Sequence, residues 1–306
     1  MKTSSRFLAA LLAALGLLAA PAHRAPARAA VGRAAIAVVD DQGTRVVLPA
    51  VPRRIIALAP NVTEILFALG LGREVVGVSS FSDYPAAAKR LPVVITYNGL
   101  NTEKILALKP DLLIAAGIVP QTSIDKLRSL HLPVLVTAPS DIPGILKDIR
   151  LVGAATGTGP AAMAEVGGLQ RRIDRVEASV GRIEGRPRVF YEIDPTLYTA
   201  GHGSFIDSLI TLADGTNIAG KVNNPYPQLS AEKVIAANPQ YILLSDTAEG
   251  VTVASVAARP GFAALSAVKH HHIYPFDPNI GTRPGPRIVD ALEVMARDLH
   301  PGLVLR

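Results

Sequence analysis

Three adjacent histidines, His270-His271-His272, form the densest cluster of metal-capable side chains in the chain. They run into Ile273-Tyr274-Pro275, which reads as a turn entering a strand. Neighbouring strand residues point to opposite faces, so the three imidazoles cannot converge on one ion without a bend. No designed metal site is expected. His202, in Gly201-His202-Gly203-Ser204, lies on a loop and is free to ligate, although Gly-rich loops ahead of helices are often simple turns. Asp83 beside Tyr84, and Glu192 near Asp194, are carboxylates of the kind used in acid–base catalysis, but the spacing brings no partner to either. There is no Gly-x-Ser-x-Gly elbow, Walker loop or metalloprotease helix motif. Cys is absent from the 306 residues, which excludes thiolate nucleophiles, thiolate metal sites and disulfides. The chain is therefore expected not to be an enzyme and to have no catalytic residues; the alternative in a different class is an exported metal-dependent or acid–base enzyme on the same fold.

The formal charge is +6, with 49% hydrophobic and 18% charged residues. That composition suits a globular chain. Residues 1–22 combine Lys2 and Arg6, an apolar run from Phe7 to Ala20, and Ala20-Pro21-Ala22. This is the pattern of a cleavable export signal, shorter than a membrane span; cleavage near Ala27 or Ala30 is the alternative. Without the leader the charge is about +4, too diffuse for a nucleic-acid reader. Arg171-Arg172 and Arg175 read as the solvated face of a helix. With no lipid-bearing Cys, the expected location is a periplasm-like space, with no membrane anchor.

Elements must hold these side chains in place, and from Arg53 short β-branched runs alternate with helical segments. Arg54–Leu58, Glu74–Val78, Leu112–Ala115 and Val134–Val136 alternate with Thr63–Leu71, Thr102–Leu108 and Thr122–Leu130. This predicts βα units around largely parallel sheets. Asn61 is expected to cap the first helix with Glu64 reaching back, and Gly70 and Gly72 to close it. Asp141 caps a helix opening at Pro143. Ala161–Ile183 is amphipathic, with Met163, Val166, Leu169, Ile173, Val176 and Val180 at helical steps, and reads as a link. A second βα series begins at Val189-Phe190-Tyr191.

The second series echoes the first. Thr102-Glu103-Lys104-Ile105-Leu106-Ala107-Leu108-Lys109-Pro110-Asp111-Leu112-Leu113-Ile114 returns as Ala231-Glu232-Lys233-Val234-Ile235-Ala236-Ala237-Asn238-Pro239-Gln240-Tyr241-Ile242-Leu243. A weaker echo pairs Thr63–Leu69 with Ile206–Leu212. Such duplication predicts two similar lobes with a cleft between them. The expected organisation is a signal over 1–22, a lead-in over 23–52, an N-terminal lobe over 53–142, linking helices over 143–185 and a C-terminal lobe over 186–306. The fold class is α/β: each lobe has a central, largely parallel sheet flanked by helices, and one long rigid helix joins the lobes.

Arg53–Ile65, Val76-Gly77-Val78-Ser79-Ser80-Phe81-Ser82-Asp83-Tyr84-Pro85, Leu108–Ala115 and Tyr226-Pro227-Gln228-Leu229-Ser230 resemble the periplasmic binding proteins for cobalamin, siderophores and haem, most closely the cobalamin binders. The resemblance runs from about Asp40 to the C-terminus. It implies a monomeric substrate-binding component of an ABC importer, which captures a corrinoid as transported ligand rather than cofactor; haem and a ferric siderophore are the alternatives. It places Asn61, Phe81, Tyr97, Tyr191, Tyr226, Arg283 and Arg287 against the ligand. Aromatic walls suit a broad, amide-rimmed disc. For Tyr191, on an apolar strand, a core role is equally expected. The two arginines suit amides, a phosphate or carboxylates, and Arg287 is alternatively an ion pair in the first turn of the last helix. His202 is a candidate axial ligand to haem iron or corrin cobalt, with a simple turn as the alternative. Cobalamin binders often carry Trp where Tyr97 and Tyr226 stand, and this chain has no Trp. Glu103 and Glu232 match the acidic residues that dock the two lobes onto a permease dimer, a symmetric surface suited to a pseudo-symmetric protein.

Overall fold

The computed structural model describes residues 35–305, so the leader expected over 1–22 lies outside the described residues. The strands are β1 (Ile36–Val39), β2 (Arg45–Leu48), β3 (Ile55–Ala57), β4 (Val75–Ser79), β5 (Val93–Thr96), β6 (Gly99–Leu100), β7 (Leu112–Ala116), β8 (Val134–Thr137), β9 (Arg188–Glu192), β10 (Thr216–Asn217), β11 (Tyr241–Leu244) and β12 (Ile273–Pro275). The helices are α1 (Pro60–Ala68), α2 (Thr102–Ala107), α3 (Gln121–Ser129), α4 (Ile142–Thr156), α5 (Gly159–Val180), α6 (Phe205–Leu212), α7 (Ala231–Ala237), α8 (Val253–Ala257), α9 (Ser266–Lys269), α10 (Pro278–Gly281) and α11 (Ile288–Leu299).

Two sheets define two lobes. The first has the order β6-β5-β4-β3-β7-β8 and the second β10-β9-β11-β12. Every pairing in them is parallel except β5 with β6. In each sheet the chain works outward to one side of its first strand, then crosses to the other. Such reversal points, β3/β7 and β9/β11, open a crevice at the carboxyl ends of the strands.

The sequence echo is a structural one. Asn101 caps α2 by accepting from Lys104 N, and Ser230 caps α7 by accepting from Lys233 N. Lys109 and Asn238 then take the left-handed conformation, at φ 46° and 45°. Arg54 donates to the carbonyls of Leu108 and Lys109, and Arg188 donates to those of Ala237 and Asn238. The Asp111 carboxylate accepts from Arg54 N, and the Gln240 side-chain carbonyl accepts from Arg188 N. Each lobe thus uses a strand-opening arginine to satisfy the free carbonyls of a helix end.

Two helices make the link. Gly157, at φ 71°, terminates α4 and turns the chain into α5, 22 residues long and so roughly 33 Å. Asp141 caps α4 as expected, accepting from Gly144 N. On α5, Ala162, Val166, Leu169, Ile173, Val176 and Val180 are buried, whereas Met163 faces solvent. Arg172 corrects the solvated-face reading: it bonds Asp290 at 2.7 Å and Glu293 at 2.9 Å, tying α5 to α11, while Arg171 and Arg175 are exposed. One apolar core runs through both lobes, joining a face of each sheet to α4, α5 and α11. The opposite face of each sheet has its own smaller core.

The β1–β2 hairpin escaped the sequence reading. Its turn is fixed by buried Asp40, which accepts from Gln42 N, Thr44 N, Val136 N and Arg128 Nη2. Asp41 accepts from Ala138 N, so the hairpin is fastened to the end of β8. No helix among the described residues is long and apolar enough to cross a membrane.

Candidate functional site

Loops that leave the carboxyl ends of the strands carry most of the residues singled out from the sequence. In the first lobe, Asn61 follows β3, Phe81 follows β4 and Tyr97 occupies the β5–β6 turn. Phe81 and Tyr97 are exposed, Tyr97 almost completely at 93%. Ile118, in the loop after β7, is 85% exposed and was missed; its signal is an unpaired large aliphatic between Gly117 and Pro120. In the second lobe, Tyr226 is exposed in the loop following β10, joined by Tyr198 on the loop after β9. An exposed ring on a loop supplies contact area to a partner; Tyr226 is only partly exposed, and burial raises its hydroxyl pKa.

Tyr191 is corrected. It is fully buried within the shared core, edge-on to Phe276 with ring centroids 5.6 Å apart. Burial pushes its hydroxyl pKa upward, out of the ordinary tyrosine range. Of the two roles left open for this residue, the structure gives the core.

The two lobes are joined at this edge by a charged cluster. Glu64, on α1, is buried and accepts from Arg287 Nε at 2.8 Å, Arg287 Nη2 at 2.6 Å and Arg283 Nη1 at 3.3 Å. Arg283 also donates to Asp83 at 2.6 Å and to the Asn279 side-chain carbonyl at 2.5 Å. The Arg287 guanidinium lies 4.1 Å over the centre of the Tyr84 ring, a cation–π contact. Asn61 Nδ2 donates to the Pro284 carbonyl. Segment Thr282–Arg287 of the second lobe is thus held against α1 and the loop after β4. Hydrogen bonding and charge from Glu64 raise the Arg287 pKa, outweighing the effect of burial. Burial alone would raise the Asp83 carboxyl, but the bond and charge of Arg283 hold it below the usual range.

This geometry overturns the expected cap of α1. The N-cap is Ala59, with no side-chain cap bond, because Pro60 takes the first helical position. Asn61 and Glu64 therefore fall inside the helix and are spent across the lobe boundary. It also supplies the partner that Asp83 lacked in the sequence.

Glu192 is buried and forms a two-pronged pair with Arg259, both bonds at 2.6 Å. Next to it, burial and the Glu192 carboxylate push Asp246 up to about 7. His202 is exposed on its loop. His271 takes φ 60°, leaving His270 and His272 with ring centroids 6.0 Å apart, and His272 stacks on Tyr241 at 4.4 Å. Among the described residues no three metal-capable side chains form a group able to hold an ion. Glu103 and Glu232 are exposed, each in the first turn of its capped helix. Glu103 borders a groove of about 580 Å³ with Thr96, Asn98 and Lys126.

Two lobes of parallel sheet, a helical link and a crevice at the strand ends define a two-lobed α/β binding-protein fold. Residues 55–280 match the family model described as Periplasmic binding protein, and the chain belongs to that family. It is 31% identical, over 98% of both chains, to an uncharacterized ABC transporter substrate-binding lipoprotein, YvrC, of Bacillus subtilis. Among solved structures it resembles the periplasmic vitamin B12 binding protein BtuF of Vibrio cholerae, at 31% identity and a TM-score of 0.72, over 81% of this chain and 97% of that one. It also resembles the periplasmic heme-binding protein RhuT of Roseiflexus, at 29% identity and 0.74, over 81% and 98%.

Proposed function

We propose that this chain is the substrate-binding component of an ABC importer, capturing a corrinoid between its lobes and delivering it to a permease dimer. The observation supporting the ligand is the charge balance at the lobe junction. Arg283 and Arg287 are matched by Glu64 and Asp83. A corrinoid such as cyanocobalamin carries no net charge and is rimmed by amides, which need hydrogen bonds and not a spare cation. A dicarboxylate such as haem would have to win an arginine from its present partner, at the cost of leaving a carboxylate unpaired. In this reading Phe81, Tyr97 and Tyr226 form the apolar contact surface with Arg283 at the floor, while Asn61 is buried against Pro284 and Arg287 is committed to Glu64.

Haem is the second reading. Tyr97 exposes a phenol, a ligand that ferric haem accepts, and a haem-binding protein is among the structural relatives. The deciding experiment is titration of purified protein with dicyanocobinamide, cyanocobalamin, haemin and a ferric siderophore, followed by absorbance and melting temperature. Corrinoid binding without turnover is expected; tighter binding of haemin overturns the ligand.

Glu103 and Glu232 are the docking residues in this proposal, one on each lobe at equivalent helix positions. Reversing both to Lys is expected to abolish uptake while ligand affinity stays within about threefold, since rim charges govern encounter and register. Retained uptake would refute the assignment. The protein acts as a monomer, free in the periplasm after removal of residues 1–22. The Bacillus relative is named a lipoprotein, whereas this chain offers no cysteine for a lipid. Recovery in a detergent-extracted membrane fraction would refute the free form.

A further inference from the structure

The arginines at the lobe junction are not held alike. Arg287 is partly enclosed, shares two bonds with Glu64 and is covered by Tyr84. Arg283 also reaches Glu64, but at a longer 3.3 Å, and its short charged contact is with Asp83. The Asp83 side chain is 44% exposed, against 2% for Glu64. One carboxylate is therefore structural and enclosed; the other faces solvent on the same loop as Phe81.

That loop is anchored independently of Asp83. Ser82 Oγ and Thr63 Oγ1 share a buried hydrogen bond of 2.8 Å, and Phe81 N donates to Ser79 Oγ. Arg283 likewise remains tethered by Asn279 and Glu64 if Asp83 lets go. Removing the Asp83 charge would thus leave both partners in place and leave Arg283 with only its longer contact to the shared Glu64 as counter-charge. A guanidinium in that state is a receptor for a carboxylate or phosphate.

We propose that Asp83 is a specificity-determining residue: it occupies Arg283 as an internal anion, so that ligands carrying carboxylates at the cleft floor are disfavoured relative to neutral, amide-rimmed ones. Selection by an occupied cation is discrimination against the wrong partner, since the competing ligand must displace a charge already in place. The inference deepens the corrinoid reading and rests on it for the location of the ligand.

The test compares dicyanocobinamide with dicyanocobyrinic acid, the same corrin bearing amides or carboxylates, and adds haemin as a dicarboxylate of another ring. Dissociation constants are measured for the wild type, Asp83→Asn, and the double variant Asp83→Asn/Arg283→Gln. Asp83→Asn is expected to shift the ratio of carboxylate to amide affinity about tenfold toward the carboxylate, and the double variant to lose that shift. Circular dichroism and melting temperature check that each variant is folded. An unchanged ratio, a shift that persists without Arg283, or no measurable gain for either carboxylate ligand in Asp83→Asn overturns the proposal. Wild-type preference for haemin over cobinamide would instead remove the corrinoid reading, while the gain of Asp83→Asn for haemin would still report on Asp83.

Discussion

Replacing Glu64 by Gln removes one negative charge from a buried site that serves two guanidinium groups. Three bonds of 2.6, 2.8 and 3.3 Å converge on its two oxygens, and an amide presents only one acceptor oxygen in their place. Breaking a buried pair by neutralising one member typically costs about 3–5 kcal/mol, because the remaining charge is left uncompensated. Here Arg287 and Arg283 keep 18% and 13% side-chain exposure, and Arg283 retains Asp83, so the lower bound of about 3 kcal/mol applies. For a protein of this size that is a fall in melting temperature of roughly 5 °C. The assay is urea unfolding followed by circular dichroism for Glu64→Gln, Arg287→Gln and the double variant. The double should be less destabilised than the sum of the singles, with a coupling of at least about 1.5 kcal/mol. A Glu64→Gln variant within about 0.5 kcal/mol of wild type, with additive singles, would refute the account of the junction as a buried charge pair.

Asp148, buried on α4 beside Asp41 and Lys147, is pushed up to about 8 by burial and then by the Asp41 charge. Its native carboxyl therefore holds a proton that the unfolded chain releases near pH 4, and stability falls as pH rises from there through about 8, by about 1.4 kcal/mol per pH unit at most. Asp148→Asn should flatten that decline in pH-dependent denaturation; an unchanged slope between pH 5 and 8 counts against it. Phe81→Ala and Tyr226→Ala should each weaken ligand binding about tenfold through lost contact area, measured by absorbance titration. Tyr191→Phe should leave affinity within about twofold, because a core residue acts on stability; a large loss of affinity would return Tyr191 to the cleft.

Much of the architecture is written in local pattern. The echo between Thr102–Ile114 and Ala231–Leu243 is legible because each unit repeats the same constraints: a polar cap, an apolar helix face, and Lys109 or Asn238 turning the chain before a proline. The family resemblance adds the lobes and the crevice. What escapes is set by distance along the chain. Glu64 and Arg287 are 223 residues apart, and nothing near Glu64 announces a partner, so a capping role looked sufficient. The signal against it was Pro60, which suits the first helical turn and moves the cap to Ala59. Tyr191 and Tyr226 differ in the same way: loop prolines around Tyr226 bespeak exposure, while a strand residue can face either side of its sheet. The β1–β2 hairpin did carry a local signal, since Asp40 closes the turn on Gln42 N and Thr44 N with Gly43 at φ 75°; only its seating on β8 and α3 lies outside a local window.

The cancelled charges at the lobe junction also bear on how a ligand arrives. Two cations and two anions packed within a few ångströms project almost no field beyond a Debye length of about 8–10 Å. From this cluster the crevice gains neither a long-range pull on anions nor a push against them. Capture then proceeds at the pace of ordinary diffusion, with little dependence on ionic strength. In the proposed binding role, discrimination is then exercised at contact and not during approach.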